Sequence, residues 1–453
     1  MSTRQTHYIL GLFLIFGTAA QLAHGDDWPQ WLGPHRDGVW RESGIIEQFP
    51  EGGPTVKWRT PIGGGYSGPA VVGNRVFVTD RQLAGGQRIS PNAFDRSPTQ
   101  GSERVLCLDA ESGEILWTHE YPCEYSISYA AGPRTTPVVT GGKLYSVGAE
   151  GDLVCLDAET GEPLWSKQFK EDYDMPAPVW GFSGHPLVDG KRLICLVGGQ
   201  GSVAVAFDKD SGEEIWRSLS AAEPGYCPPV ILELGGKRQL IIWHPQAING
   251  LDPETGEVYW STPFDVRAGM TIPTPRQAGQ RLFVTNFYDG PMMLEFKEGQ
   301  AGPDLLWRGN SHSERNTDKL HSVMSTPVIQ DGHIYGVDSY GQLRCLDLET
   351  GERSWEDLTA SGSTGDLRDS SNRWANVFLI PHEDRFFLAN EKGDLIIAKL
   401  TPTGYEELSR AHVIEADNPM PGRKVVWSHP ALANRCAYLR NDSEIICVDL
   451  SKD

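Results

Sequence analysis

The stretch Cys107–Trp117, CLDAESGEILW, decides the fold because it recurs. It returns as CLDAETGEPLW at 155–165, AFDKDSGEEIW at 206–216, GLDPETGEVYW at 250–260 and CLDLETGERSW at 345–355. A weaker copy, LEFKEG…LLW, runs from Leu294 to Trp307. The Trp residues stand at 117, 165, 216, 260, 307 and 355, so successive copies lie 44 to 51 residues apart. A period of that size marks units that cannot bury their apolar face alone and must be repeated side by side. Two degenerate units follow, DRFFLANEKGDLIIAKL at 384–400 and NRCAYLRNDSEIICVDL at 434–450, and bring the count to eight.

Within a unit the pattern is that of short antiparallel strands. The second unit reads TTPVVT, KLYSVG, DLVCLD and EPLWSKQF, with Gly, Asn and Asp between the segments. Alternation with period two and β-branched or aromatic content identify strands bounded by turns. In the D-x-x-[ST]-G-E turn, the Asp and hydroxyl side chains can accept from nearby backbone N–H groups, and Gly supplies a positive φ. Four strands in about 45 residues, repeated eight times, make an all-β, eight-bladed β-propeller. The last unit ends at Asp453 after three strands and has no Trp, whereas TVKWRTPIG at 55–63 carries an unassigned outer-strand pattern. The strand around Trp58 is therefore expected to complete the last blade and close the ring, which removes exposed sheet edges.

With these phrases on the page, the chain resembles the tryptophan-docking repeat of pyrroloquinoline-quinone (PQQ) quinoproteins and their non-catalytic relatives, over roughly Trp58–Asp453. Those relatives include the propeller component of the outer-membrane β-barrel assembly machinery. The opening phrase DWPQWLGPHRDG at 27–38 is similar to that of secreted bacterial PQQ-like propellers. The resemblance implies a fold and says little about chemistry, because one fold hosts many functions.

Residues 1–25 read as a secretory signal peptide: Arg4 precedes the apolar run Ile9–Phe16, and Ala23-His24-Gly25 offers small residues for cleavage. Residues 26–54 form an N-terminal extension and 55–453 the propeller. An extracytoplasmic setting, periplasmic or secreted, is expected, with no membrane span after cleavage. Of the eight cysteines, Cys107, Cys155, Cys345 and Cys447 share one repeated strand position and read as small buried side chains. A two-residue turn at Asn441-Asp442 would set Cys436 opposite Cys447, which leaves a disulfide or a buried thiol pair open at that point. The balance of 40 Lys+Arg against 60 Asp+Glu, a formal −20, argues against nucleic acid, whose phosphates need clustered basic residues.

In a four-stranded blade the one–two and three–four turns share a face; here they are short and alike. The two–three turns and the links between blades share the other face; they are long and varied, and variable loops on a rigid scaffold carry binding. The residues just ahead of each inner strand should ring the channel mouth there. The candidate ligand-binding residues are Tyr66, Arg134, His185, Tyr226, Trp374, Asn376 and His429, with Asp338 from a two–three turn. Aromatics, one Arg and carboxylates converging on one mouth suit a planar anionic ligand. No Cys-Cys pair, C-x-x-C-H, C-x-x-C, H-E-x-x-H or G-x-S-x-G is present, so no catalytic or metal residue is assigned. His312 and His321 with Glu314 and Asp318 are the one conceivable metal cluster, and a solvated loop is the preferred reading. The functional expectation is an exported, non-catalytic binding or scaffold protein of the cell envelope. Its partner would be an envelope protein, a polysaccharide or a small ligand. The alternative is a PQQ-dependent alcohol or sugar dehydrogenase, which would require PQQ with calcium and a carboxylate base.

Overall fold

The computed structural model describes residues 26–452. The signal-peptide reading of 1–25 lies outside the described residues. Eight four-stranded antiparallel sheets succeed one another along the chain. Blade one is built from Ala70–Val72, Arg75–Leu83, Gly101–Asp109 and Ile115–Pro122, from the inside outward. Blades two to seven occupy 138–168, 187–218, 230–263, 276–308, 328–357 and 377–412. Blade eight has three strands from the C-terminal end, Ala431–Ala433, Cys436–Arg440 and Glu444–Asp449, and Val56–Pro61 as its outermost. Trp58 lies opposite Cys447, so the leading strand closes the ring as its sequence pattern required. A small hairpin, Asn418–Met420 with Arg423–Val425, is inserted between blades seven and eight.

The repeated phrase has a local mechanism that joins neighbouring blades. Asp109 accepts from the N–H groups of Glu111 and Ser112 and from the Ser112 hydroxyl, which shapes the turn. The turn then receives the Trp of the preceding blade. Trp58 Nε1 donates to Ala110 O at 2.9 Å, Trp117 to Ala158 O at 3.3 Å, Trp165 to Lys209 O at 3.1 Å and Trp307 to Leu348 O at 3.0 Å. Each indole removes a large apolar area from water while its N–H keeps a partner, which is why Trp suits the position. Trp58, Trp216 and Trp260 are buried, whereas Trp117, Trp165, Trp307 and Trp355 are half-buried.

One docking Trp finds a different partner. Blade five carries the degenerate copy, FKEGQAGPD at 296–304, and Trp260 of blade four donates instead to Gln239 Oε1 at 2.5 Å, whereas Trp355 still reaches Thr401 O at 2.8 Å in the shorter blade-seven turn. The repeated cysteines are explained by the same register. Cys107, Cys155, Cys345 and Cys447 lie directly across from Trp117, Trp165, Trp355 and Trp58, where a small apolar side chain is buried next to the indole-bearing strand. Cys436 faces Asp449, not Cys447, because the loop holds four residues, 441–444. Asn441 Oδ1 accepts from the N–H groups of Ser443 and Glu444, which stabilises that longer loop. All eight cysteines are free thiols in this structure, and the Cys436 and Cys447 thiols lie within hydrogen-bond reach of each other.

Candidate functional site

The extension at 26–54 decides what the channel becomes. Its first turns run up the channel from the face of short turns. Trp28 exchanges two backbone hydrogen bonds with Val71 on the inner strand of blade one, and Pro29 O accepts from Val139 N of blade two. Arg36 is buried, and its Nη1 and Nη2 donate to Pro186 O and Pro229 O, both at 3.1 Å, just ahead of the inner strands of blades three and four. Burial pushes its pKa down to about 10. Arg276 of blade five donates to Asp37 O at 2.6 Å. Further along, Trp40 N donates to Pro381 O of blade seven, and Glu42 accepts from Arg435 N of blade eight. One short segment thus satisfies inner-strand backbone around most of the ring, and it plugs the channel.

The tip of the plug is the floor of a cavity that opens on the face of long loops. Trp31 stacks on His185 with ring centroids 4.0 Å apart and meets His429 edge-on at 5.0 Å. Its Nε1 donates to Thr274 Oγ1 at 2.9 Å. Burial holds both histidines neutral: His185 is pushed well below its ordinary range and His429 down to about 4. His185 Nδ1 accepts from Thr136 N at 2.8 Å.

Above this floor the cavity has a volume of about 310 Å³, and aromatic side chains dominate its wall. Trp180 packs against Tyr226 at 5.4 Å, Tyr129 against Trp427 at 6.1 Å, and Trp374 lies beneath the Arg373 guanidinium at 4.3 Å. Trp374 adopts φ 66°, a left-handed backbone conformation that a bulky residue takes only under tertiary constraint. Burial raises the hydroxyl pKa values of Tyr66 (to about 12), Tyr129 and Tyr226, so all three stay protonated at neutral pH. Phe94, on the long loop between Leu83 and Gly101, crosses the mouth and meets Tyr129 and Trp374 edge-on, while remaining about half exposed (47%).

Six of the sequence-nominated residues line this cavity: Tyr66, Arg134, His185, Tyr226, Trp374 and His429. Asp338 and Asn376 do not, and this corrects their nomination. Asp338 is buried in an ion pair with Arg344 at 2.9 Å and accepts from Thr317 Oγ1 and His321 N. Asn376 is buried, and its carbonyl accepts from Glu391 N. The expected convergence of carboxylates fails for one reason. Buried acids near the two–three connections are drawn sideways to half-buried arginines, as in Asp80–Arg104 and Glu391–Arg423, because a buried carboxylate must find a cation or donors. The lining itself contains no Asp or Glu side chain.

Sequence reasoning missed Trp31, Tyr129, Trp180, Arg373 and Trp427, although the phrase WPQW at 28–31 hinted that the extension was not inert. The conceivable metal cluster keeps one internal contact, His321 Nε2 to Asp318 Oδ1 at 3.4 Å, and its other members turn elsewhere. His312 faces Asp289 at 3.0 Å, His321 is buried against Phe287 O, and Glu314 pairs with Arg373. Among the described residues no group of three or more His, Cys, Asp and Glu side chains is placed to hold a metal ion. The residues present also do not fit PQQ with calcium, since the lining offers neither carboxylate ligands nor a carboxylate base.

Comparisons with known proteins agree on the architecture. A family model described as outer membrane protein assembly factor BamB matches residues 101–357 and 202–452. The outer membrane protein assembly factor BamB of Yersinia pestis is 23% identical over 210 residues, 44% of this chain and 49% of that protein. The chain thus spans about half the length of the curated relative it matches. BamB from Moraxella catarrhalis superposes with TM-score 0.56 at 15% identity, covering 87% of this chain and 99% of that one. The quinohemoprotein alcohol dehydrogenase ADHIIG from Pseudomonas putida HK5 gives TM-score 0.59 at 12% identity, covering 94% and 80%. Both structures share the fold.

Proposed function

Because the chain belongs to the propeller family described as outer membrane protein assembly factor BamB, we propose that it is a non-catalytic scaffold of the cell envelope. Its partner would be an envelope protein, docked on the face of long loops. The observation that carries this reading is the asymmetry of the two faces. On one, the one–two connections are tight, as at Gly141-Gly142 and Gly235-Gly236. On the other, loops such as those from Leu83 to Gly101 and Asp357 to Val377 present large side chains on a closed ring of sheets. The plug supports the same reading, since it fills the channel with structural side chains. An extracytoplasmic setting belongs to this proposal. Among the described residues no helix is long and apolar enough to cross a membrane.

The dehydrogenase reading has the shared fold behind it and no donor set in the cavity. Site-specific photocrosslinking in the native host tests the scaffold reading. A benzophenone amino acid at Arg315 or Arg368 on the loop face should give one discrete protein adduct, and one at Lys143 on the opposite face should give none. Equal labelling from both faces would overturn the proposal, as would dye-linked alcohol oxidation by the purified chain supplied with PQQ and calcium.

A further inference from the structure

We propose that the channel-mouth cavity is a small-molecule site for a flat aromatic carboxylate of one or two rings. The inference is separate from the scaffold reading and concerns the well beneath the docking face. Three observations carry it: the shape, the charge and the way the aromatic faces are already used.

The shape is that of a preformed well. Trp31 is held by His185, His429 and Thr274, so the floor is fixed before any ligand arrives. A rigid, apolar pocket of about 310 Å³ lies at the low end of the range for small-molecule sites, and preorganisation lowers the cost of binding. Trp180, Tyr226, Trp374 and Trp427 supply flat faces for stacking. Phe94, at the mouth, can cover a bound ring from the solvent side.

The charge is positive, in a chain whose formal net charge is −20. Arg134 and Arg373 are the charged side chains of the lining. Arg373 is balanced by Glu314 at 2.6 Å. Arg134 is held by the carbonyls of Ser128, Tyr129, Gly132 and Trp180 and pairs with no carboxylate among the described residues. Beneath the floor, Arg36 is likewise held by carbonyls. Two uncompensated cations beside a low-dielectric well favour an anion there.

The same arginines exclude a cationic ligand. Aromatic boxes attract cations through their ring faces. Here Arg134 already lies 5.2 Å over Tyr66 and Arg373 lies 4.3 Å over Trp374, so the protein's own guanidinium groups occupy two such faces.

Isothermal titration of the purified chain with 2-naphthoate and with 2-naphthylmethylammonium tests the proposal without any mutation. Saturable micromolar binding of the carboxylate is expected, with the ammonium compound at least tenfold weaker. Trp374→Leu should weaken naphthoate at least tenfold, and Lys143→Ala on the opposite face should leave it unchanged. No saturable naphthoate binding up to the millimolar range would overturn the proposal, as would equal affinity for the ammonium compound. Either result leaves the crosslinking outcome intact, so the two readings fail separately.

Discussion

Trp58 Nε1 donates to the carbonyl of Ala110 at 2.9 Å, and this contact helps fasten the closing strand of blade eight to blade one. The Thr60 hydroxyl adds a hydrogen bond at 2.6 Å to Gly113 O in the same turn. The N-terminal strand therefore does two things at once: it completes a sheet begun at the other end of the chain, and it supplies that sheet's docking indole. Trp58→Ala should cost about 3–5 kcal/mol, the usual loss for a large buried aromatic. The half-buried Trp355→Ala should cost less. Urea unfolding followed by far-UV circular dichroism measures both, and equal losses would contradict a special role for the closure.

Gly113 has φ +73°, and a Cβ placed on it would lie 2.6 Å from the Trp58 ring. Gly113→Ala should therefore destabilise by well over the roughly 1–2 kcal/mol that a left-handed backbone alone costs a residue with a Cβ. Gly73→Ala is the matched comparison, since its φ is +55° and nothing lies within 4 Å of the new carbon. A difference in melting temperature between the two variants reads out the Trp58 contact. Identical melting temperatures would show that the ring simply moves aside.

Trp31→Ala removes the floor of the cavity and the stack on His185. A loss of about 3 kcal/mol is expected from the cavity left behind. The neutral His185 and His429 rings would then meet water, so their titration by NMR should move up toward the ordinary imidazole range. Unchanged imidazole titration would show that the plug does not control the histidines.

His429 is held near pKa 4 in the folded state, against about 6.5 in an unfolded chain. At neutral pH both states are unprotonated and the group is silent. As pH falls below 6.5 the unfolded state takes up the proton first, so stability is lost progressively between about 6.5 and about 4. The magnitude is on the order of 3 kcal/mol for a shift of that size. Buried carboxyls such as Glu103 and Glu391, raised by burial, work in the opposite direction. The measurement is therefore a difference: unfolding free energy at pH 7 minus that at pH 4.5 should be smaller in His429→Gln than in the unmodified protein.

Much of the candidate site was legible in sequence because a propeller places the residue before each inner strand at the channel mouth. Tyr66, Arg134, Tyr226 and His429 arrive there by repeat position alone. Asp338 and Asn376 fail the same logic because Asp338 finds Arg344 and Asn376 is buried beside Glu391. Such pairings join residues from separate strands, loops or blades, and no local pattern announces them. The register of the last hairpin failed for a related reason. Asn441 can cap a four-residue loop as readily as it can start a two-residue turn, and only packing selects between them.

What the amino-acid order alone determined is the ring: the unit, the count of eight, the docking Trp and the closing strand. All of these are periodic and local, so each copy of the phrase reports the same physics. What the tertiary structure alone decided is the inside of that ring. The segment at 26–54 has no repeat to betray it, and its buried Arg36 and Trp31 would read as surface residues of a leader. They become a plug and a floor because inner-strand carbonyls around the channel need donors, and an apolar axis needs something large to fill it.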